Sequence, residues 1–196
     1  SQAEDVEKVE NEAWFKNEDE TVNDVIKAAI ASIGENINLR RFKKVETDGY
    51  LFGYIHLGGK IGVLVEFANE FTEEKAKTAK DIAMHIAAVS PEFLNRDSVD
   101  AESIEKEKKI YREQMINEGK PEHILDQIIE GKINKYYTQV CLLEQPFVRD
   151  EDKTVAEVLE ENDMEIKQFT RFEIGEGIEK KEEDFAAEVA AMTKNQ

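Results

Sequence analysis

The residues able to do chemistry are few and scattered. Gly58-Gly59-Lys60 resembles a phosphate-binding turn, histidines stand at 56, 85 and 123, and the single cysteine is Cys141. A phosphate loop needs four residues between its first glycine and the Gly-Lys pair, and then Ser or Thr for magnesium. Tyr54 occupies the first position and Ile61 the last, and the turn joins strand to strand rather than strand to helix. The phosphate reading fails. The histidines lack metal-ligand spacing. His85 suits a satisfied core or boundary position, and His123 a solvated first turn of a helix. His56 closes an aromatic run beside a glycine turn, as either a structural residue or a rigidly held contact residue. Cys141, among Val140, Leu142 and Leu143, suits a buried apolar thiol. One cysteine excludes an internal disulfide and a cysteine-rich zinc site. No carboxylate pair stands out among 44 acidic residues, and no Ser/His/Asp order has a local signature. Covalent catalysis, a metal and a cofactor are therefore not expected.

What must position these residues is a sheet with helices on it. Tyr50, Phe52, Tyr54 and His56 alternate with Leu51, Gly53, Ile55 and Leu57, and Ile61, Val63, Val65 and Phe67 alternate again. Two period-two runs around a glycine turn predict a β-hairpin; both faces of the first strand are apolar, so at least part of the hairpin should be covered on two sides. Residues 37–47 are expected to be extended, giving a three-strand antiparallel meander. Ile166, Gln168, Thr170, Phe172 and Ile174 alternate with Lys167, Phe169, Arg171 and Glu173, and should join the same sheet.

The helices follow from apolar spacing. Val6, Val9 and Ala13 suggest the end of a helix. Thr21 with Asp24 forms a capping-box pattern before Val22, Val25, Ile26, Ala29, Ile30 and Ile33, and Gly34 closes that helix. Residues 72–89 carry a stripe of Ala76, Ala79, Ile82, Ala83, Ile86 and Ala87, ended by Ser90-Pro91. From 101 to 137 charge is dense. Ile104, Tyr111 and Met115 face Leu125, Ile128, Ile129, Ile133 and Tyr136 across a Gly119–Pro121 reversal. This predicts a projecting antiparallel helical hairpin with a narrow coiled-coil seam, each arm about 25 Å long at about 1.5 Å per residue. A short helix is expected after Thr154. After the Gly175-Glu176-Gly177 joint, residues 178–192 read as an amphipathic helix that packs on its own body or docks into a partner. The fold class is α+β: an antiparallel sheet with packed helices, a projecting helical hairpin and a C-terminal amphipathic helix.

Composition narrows the class of partner. The 196 residues carry a formal charge of -18, with 26 basic side chains. Such a surface repels phosphates and anionic lipid, so neither nucleic acid nor membrane is an expected partner. No run approaches the 18 apolar residues of a membrane span, and no signal peptide is seen. The chain is expected to be cytoplasmic. It begins at Ser1 rather than methionine, as a fragment or a processed chain would.

Six segments then carry a resemblance. IGENINLRRF (33–42), YIHLGGKIGVLVEF (54–67), DIAMHIAAVSPEFL (81–94), EGKINKYY (130–137), LEQPFV (143–148) and RFEIGEGIEKKEEDFAAEVAAM (171–192) closely resemble bacterial elongation factor Ts, in order and along nearly the whole chain. The resemblance implies a guanine nucleotide exchange factor for elongation factor Tu, a translation factor rather than an enzyme. It implies a fold like the dimerisation domain of that family. Residues 1–45 would be the remainder of the core N-subdomain, and 46–100 with 138–176 the core C-subdomain. Residues 101–137 would be the coiled-coil protrusion and 177–196 the C-terminal module. The positions matching the family's contacts with Tu are His56, Val148, Arg149 and, in the C-terminal module, Phe185 and Val189; Arg149 departs from the apolar residue frequent there.

The Thr-Asp-Phe-Val motif that the family pushes toward the magnesium and phosphate site of Tu is absent from these 196 residues. Exchange requires tighter binding to the nucleotide-free partner than to the GDP-bound one. The expectation is a chain that binds Tu and exchanges nucleotide weakly. The alternative from another class is a coiled-coil adaptor that uses 101–137 to hold some other protein.

Overall fold

Side-chain caps define where the first elements begin and end. The structure, a computed structural model, describes residues 5–68, 70 and 72–178. The chain divides into two units, residues 1–47 and 48–196. In the first, α1 (Val6–Glu10) precedes a hairpin of β1 (Ala13–Trp14) and β2 (Asn17–Thr21), then α2 (Val22–Ile33). Asp5 accepts from Lys8 N at 2.8 Å, and Asn11 Nδ2 donates to Glu7 O at 2.8 Å. The Asn11 amide competes for a helix carbonyl and stops α1. Ala13, expected on that helix, instead pairs with Thr21 in the hairpin. Thr21 and Asp24 form a complete capping box, and Gly34 takes the left-handed conformation at φ 79. Each such cap stabilises a helix by about 1 kcal/mol.

Residues 34–49 form neither helix nor strand, which corrects the extended strand expected over 37–47. The apolar positions Ile37, Leu39, Phe42 and Val45 lose period two after Leu39, so no single face could lie on a core.

The second unit holds β3 (Tyr50–His56), β4 (Ile61–Phe67), α3 (Glu73–Val89), α4 (Ala101–Asn117), α5 (Leu125–Val140), β5 (Pro146–Phe147), β6 (Asp150–Thr154), α6 (Val155–Glu161) and β7 (Ile166–Glu173). The antiparallel sheet has order β3-β4-β7. The third strand thus comes from the end of the chain, not from 37–47. Between β3 and β4 the chain reverses through a 3-10 turn with Gly58 at φ 66 and Gly59 at φ 102. Those angles need glycine, and the Gly-Gly-Lys motif is only a turn.

Ile61, Val63, Val65 and Phe67 form the buried face of β4, meeting Ile82, Ala83 and Ile86 of α3, with Val155, Val158 and Leu159 of α6 in the same core. Tyr50, Phe52 and Tyr54 pack against its rim. The outer face of β3 is less covered than its sequence implied: Ile55 is 67% exposed. On β7 a register shift opposite Glu66/Phe67 pairs Ile166 with Phe67 but Gln168 with Glu66. This bulge moves Phe169, not Gln168, onto the face shared with Ile166, so the simple alternation read along this strand breaks there.

α4 and α5 pair through buried Ile104, Met115, Leu125, Ile129 and Ile133. An Arg112–Asp126 ion pair and Lys132 over the Tyr111 ring (5.3 Å) bridge the two helices. Gly119, at φ 75, makes the reversal between them.

Phe67 is 1% exposed at the centre of the sheet core. Phe67→Ala should lower the stability of this unit by about 3–5 kcal/mol, the usual cost of truncating a buried aromatic, measured by urea titration.

Candidate functional site

The β5–β6 hairpin is tied to the helix beneath it at several points. Backbone bonds run from Leu142 N to Phe93 O (2.8 Å) and from Leu143 N to Leu94 O (3.1 Å). They pin the stretch after α5 to the loop after α3, and this brings buried Gln145 next to buried His85. The Val148 amide donates to His85 Nδ1 at 3.2 Å. A ring nitrogen that accepts carries no proton, so the proton sits on Nε2 and is donated to Gln145 Oε1, 3.0 Å away. Gln145 Nε2 donates in turn to Gln139 O of α5 at 2.6 Å. One hydrogen-bonded chain thus runs from the hairpin tip through α3 to the end of α5. The Phe147 ring stacks on His85 with centroids 5.9 Å apart.

Arg149 beside the tip is also held. Its Nε lies 3.0 Å from Asp81 Oδ1, and its Nη2 is 3.7 Å from Met84 Sδ. The guanidinium is thus folded back on α3 while half of it remains in solvent. As a half-exposed pair it adds at most about 1 kcal/mol. Val148, 46% exposed, is the apolar group the tip presents.

His56 lies elsewhere, at the end of β3, where its Nδ1 is 2.8 Å from the Tyr54 hydroxyl and the two rings are 5.7 Å apart. The ring is held and partly exposed to solvent. His123 is exposed in the 3-10 turn before α5. Cys141 is fully buried, and burial pushes its thiol up to about 11. At neutral pH it is an unreactive thiol. Among the described residues no group of His, Cys, Asp and Glu could hold a metal ion, and no helix is long and apolar enough to cross a membrane. Phe185 and Val189, with the helix expected around them, lie outside the described residues.

With this geometry in place, comparison with known proteins is direct. The sequence profile of the family Elongation factor TS matches residues 1–176. The chain belongs to the elongation factor Ts family. A Halothermothrix orenii protein described as Elongation factor Ts is 62% identical over 189 residues, which covers 96% of this chain and 63% of the relative. A Clostridium botulinum Elongation factor Ts is 50% identical over 191 residues, covering 93% and 62% respectively. One from Clostridium perfringens is 52% identical over 182 residues, covering 89% and 60%. The chain therefore spans a little over three fifths of the length of these relatives.

Within this family member, the sequence named Val148 and Arg149 as candidates but not the residues that hold them: His85, Gln145 and Asp81. A signal was present. Glu12 to Ile26 and Gln145 to Leu159 share Glu-Asp-x-Thr-Val at the same offset. The two hairpins also share their register. Ala13 pairs with Thr21 and Trp14 with Asn17, as Pro146 pairs with Thr154 and Phe147 with Asp150. Both end in a capping box and in a helix-start amide bonded at 3.0 Å, Val22 to Glu12 and Val155 to Gln145. The first unit thus carries a second copy of the hairpin–helix device, its tip formed by Phe15 and Lys16.

Burial holds His85 neutral, with its pKa below the ordinary histidine value. A histidine that is neutral when folded contributes stability above its unfolded pKa of about 6.5, and loses that contribution as pH falls through the lowered folded value. Urea titrations should show stability declining below about pH 6.5. His85→Asn, which does not titrate, should flatten that part of the profile.

Proposed function

We propose that this chain binds elongation factor Tu as part of a guanine nucleotide exchange factor of protein synthesis, a protein-binding factor rather than an enzyme, acting in the cytoplasm. The family match over residues 1–176 carries this reading. The built hairpin tip and the fixed His56 ring suit it. Both are side chains placed by rigid elements with little order left to lose on binding, which favours affinity.

In this reading residues 1–45 are the remainder of the core N-subdomain, and 46–100 with 138–176 the core C-subdomain. Residues 101–137 are a coiled-coil protrusion, and 177–196 a C-terminal module that docks through Phe185 and Val189. His56 supplies polar and Val148 apolar contact to Tu. Arg149 either steadies the tip through Asp81 or reaches the partner.

Exchange is a difference of affinities. The surfaces described hold Tu, while the Thr-Asp-Phe-Val segment that would disturb the magnesium and phosphate site is not among these residues. Mixed with Tu carrying labelled GDP, the 196-residue chain should bind and release GDP slowly. Absence of binding would overturn the reading, and release as fast as with an intact factor would overturn the division of labour. In a bacterial lysate, Tu should dominate what the chain retains; a different dominant protein would favour an adaptor role.

His56→Ala should weaken Tu binding by about tenfold, the equivalent of about 1.4 kcal/mol. Titration calorimetry measures the affinity, and an unchanged melt would show that the fold is intact.

A further inference from the structure

We propose that His85 is the positioning residue of the docking tip: its ring, bonded at both nitrogens, sets the backbone at Val148 and Arg149 in the shape that the partner meets. The inference rests on the reading of that tip as a contact with elongation factor Tu.

The hairpin cannot set its own shape. β5 has two residues, and its register with β6 shifts between Pro146 and Phe147. So short a ladder is marginal in water. Val148 and Arg149 are the two residues of the turn, and the Val148 amide faces away from the ladder. That amide would be free to solvent in an ordinary two-residue turn, but here it is taken up by His85 Nδ1 at 3.2 Å.

Three contacts from one face of α3 fasten the tip: the His85 bond to Val148, the His85 stack on Phe147, and the Asp81–Arg149 pair. Asp81 and His85 stand four residues apart, so they lie one above the other on the helix. Two of the three come from one buried ring, since His85 and Phe147 are both buried while Arg149 is half in solvent. His85 and Gln145 are 0% and 2% exposed, so the ring cannot swing away without leaving Gln145 unsatisfied.

The other copy of the device, within the first unit, offers a comparison. β1–β2 has the same register, yet all three histidines of the chain fall beyond residue 47. There Phe15 is 76% exposed, with Lys16 over its ring at 5.4 Å. The same local sequence makes the hairpin in both places. Among the described residues, the second has its tip amide tied to a helix and the first does not.

The decisive comparison is between His85→Asn and His85→Gln in the full chain. Asparagine can place its carbonyl oxygen where Nδ1 sits and still accept from Val148. Glutamine reaches the Nε2 position and leaves the Val148 amide without an acceptor. Hydrogen exchange of the Val148 amide, read by NMR without any partner, should be near wild type in the Asn variant. In the Gln variant it should be faster by about tenfold or more, as expected for one lost hydrogen bond. Affinity for Tu carrying GDP should stay within about threefold of wild type for Asn and fall about tenfold for Gln, mainly through faster dissociation.

Equal exchange rates and equal affinities in the two variants would overturn the inference. Val148→Ala keeps the amide and removes only the side chain. If it leaves Tu affinity unchanged, the tip is not a contact and the underlying reading fails. If it weakens binding while the Asn and Gln variants bind alike, the positioning role fails and the reading stands. If wild type does not bind Tu at all, the exchange rates alone decide whether His85 sets the tip.

Discussion

Helix α3 has to satisfy two surfaces at once, and the second unit depends on that. One side meets the apolar face of the sheet through Ile82, Ala83 and Ile86. Another meets the β5–β6 hairpin through Asp81, Met84 and His85. Small residues on the helix let its backbone approach the strands closely, and the buried histidine then has to find partners for both ring nitrogens, because an unsatisfied one would cost about 1–3 kcal/mol. It finds them in the tip amide and in Gln145. The position of α3 on the sheet and the shape of the tip are therefore coupled through one neutral ring.

This arrangement suits the proposed binding to a protein partner. Among the described residues the groups that stand out are held side chains: His56 against Tyr54, Val148 at a fastened turn, Arg149 drawn back on Asp81. Binding energy is not spent on ordering such side chains. The repeated hairpin–helix device explains how the fold makes a tip of this kind twice from nearly the same local sequence, with caps and register alike.

Much of the fold was legible because local chemistry decided it. The capping box at Thr21, the Gly34 stop, the stripe on α3 and the Gly58-Gly59 turn all follow from contacts within a few residues. The strand expected over 37–47 was misjudged because extended composition does not make a strand: a ladder needs a partner edge and a consistent face. The bulge on β7 was invisible for a related reason, since a shift opposite Glu66/Phe67 exists only once β4 and β7 are paired.

The sequence by itself determined the mixed class of the molecule, its capped helices, the β3–β4 hairpin and its family resemblance. Those depend on residue type and near-neighbour spacing. Only the tertiary structure decided that His85 is the neutral core histidine beneath the tip, that Arg149 pairs with Asp81, and which strand completes the sheet. His85 and Val148 are 63 residues apart in the chain, and the protonation of one nitrogen of that ring is set by a backbone amide which no local pattern could bring to it.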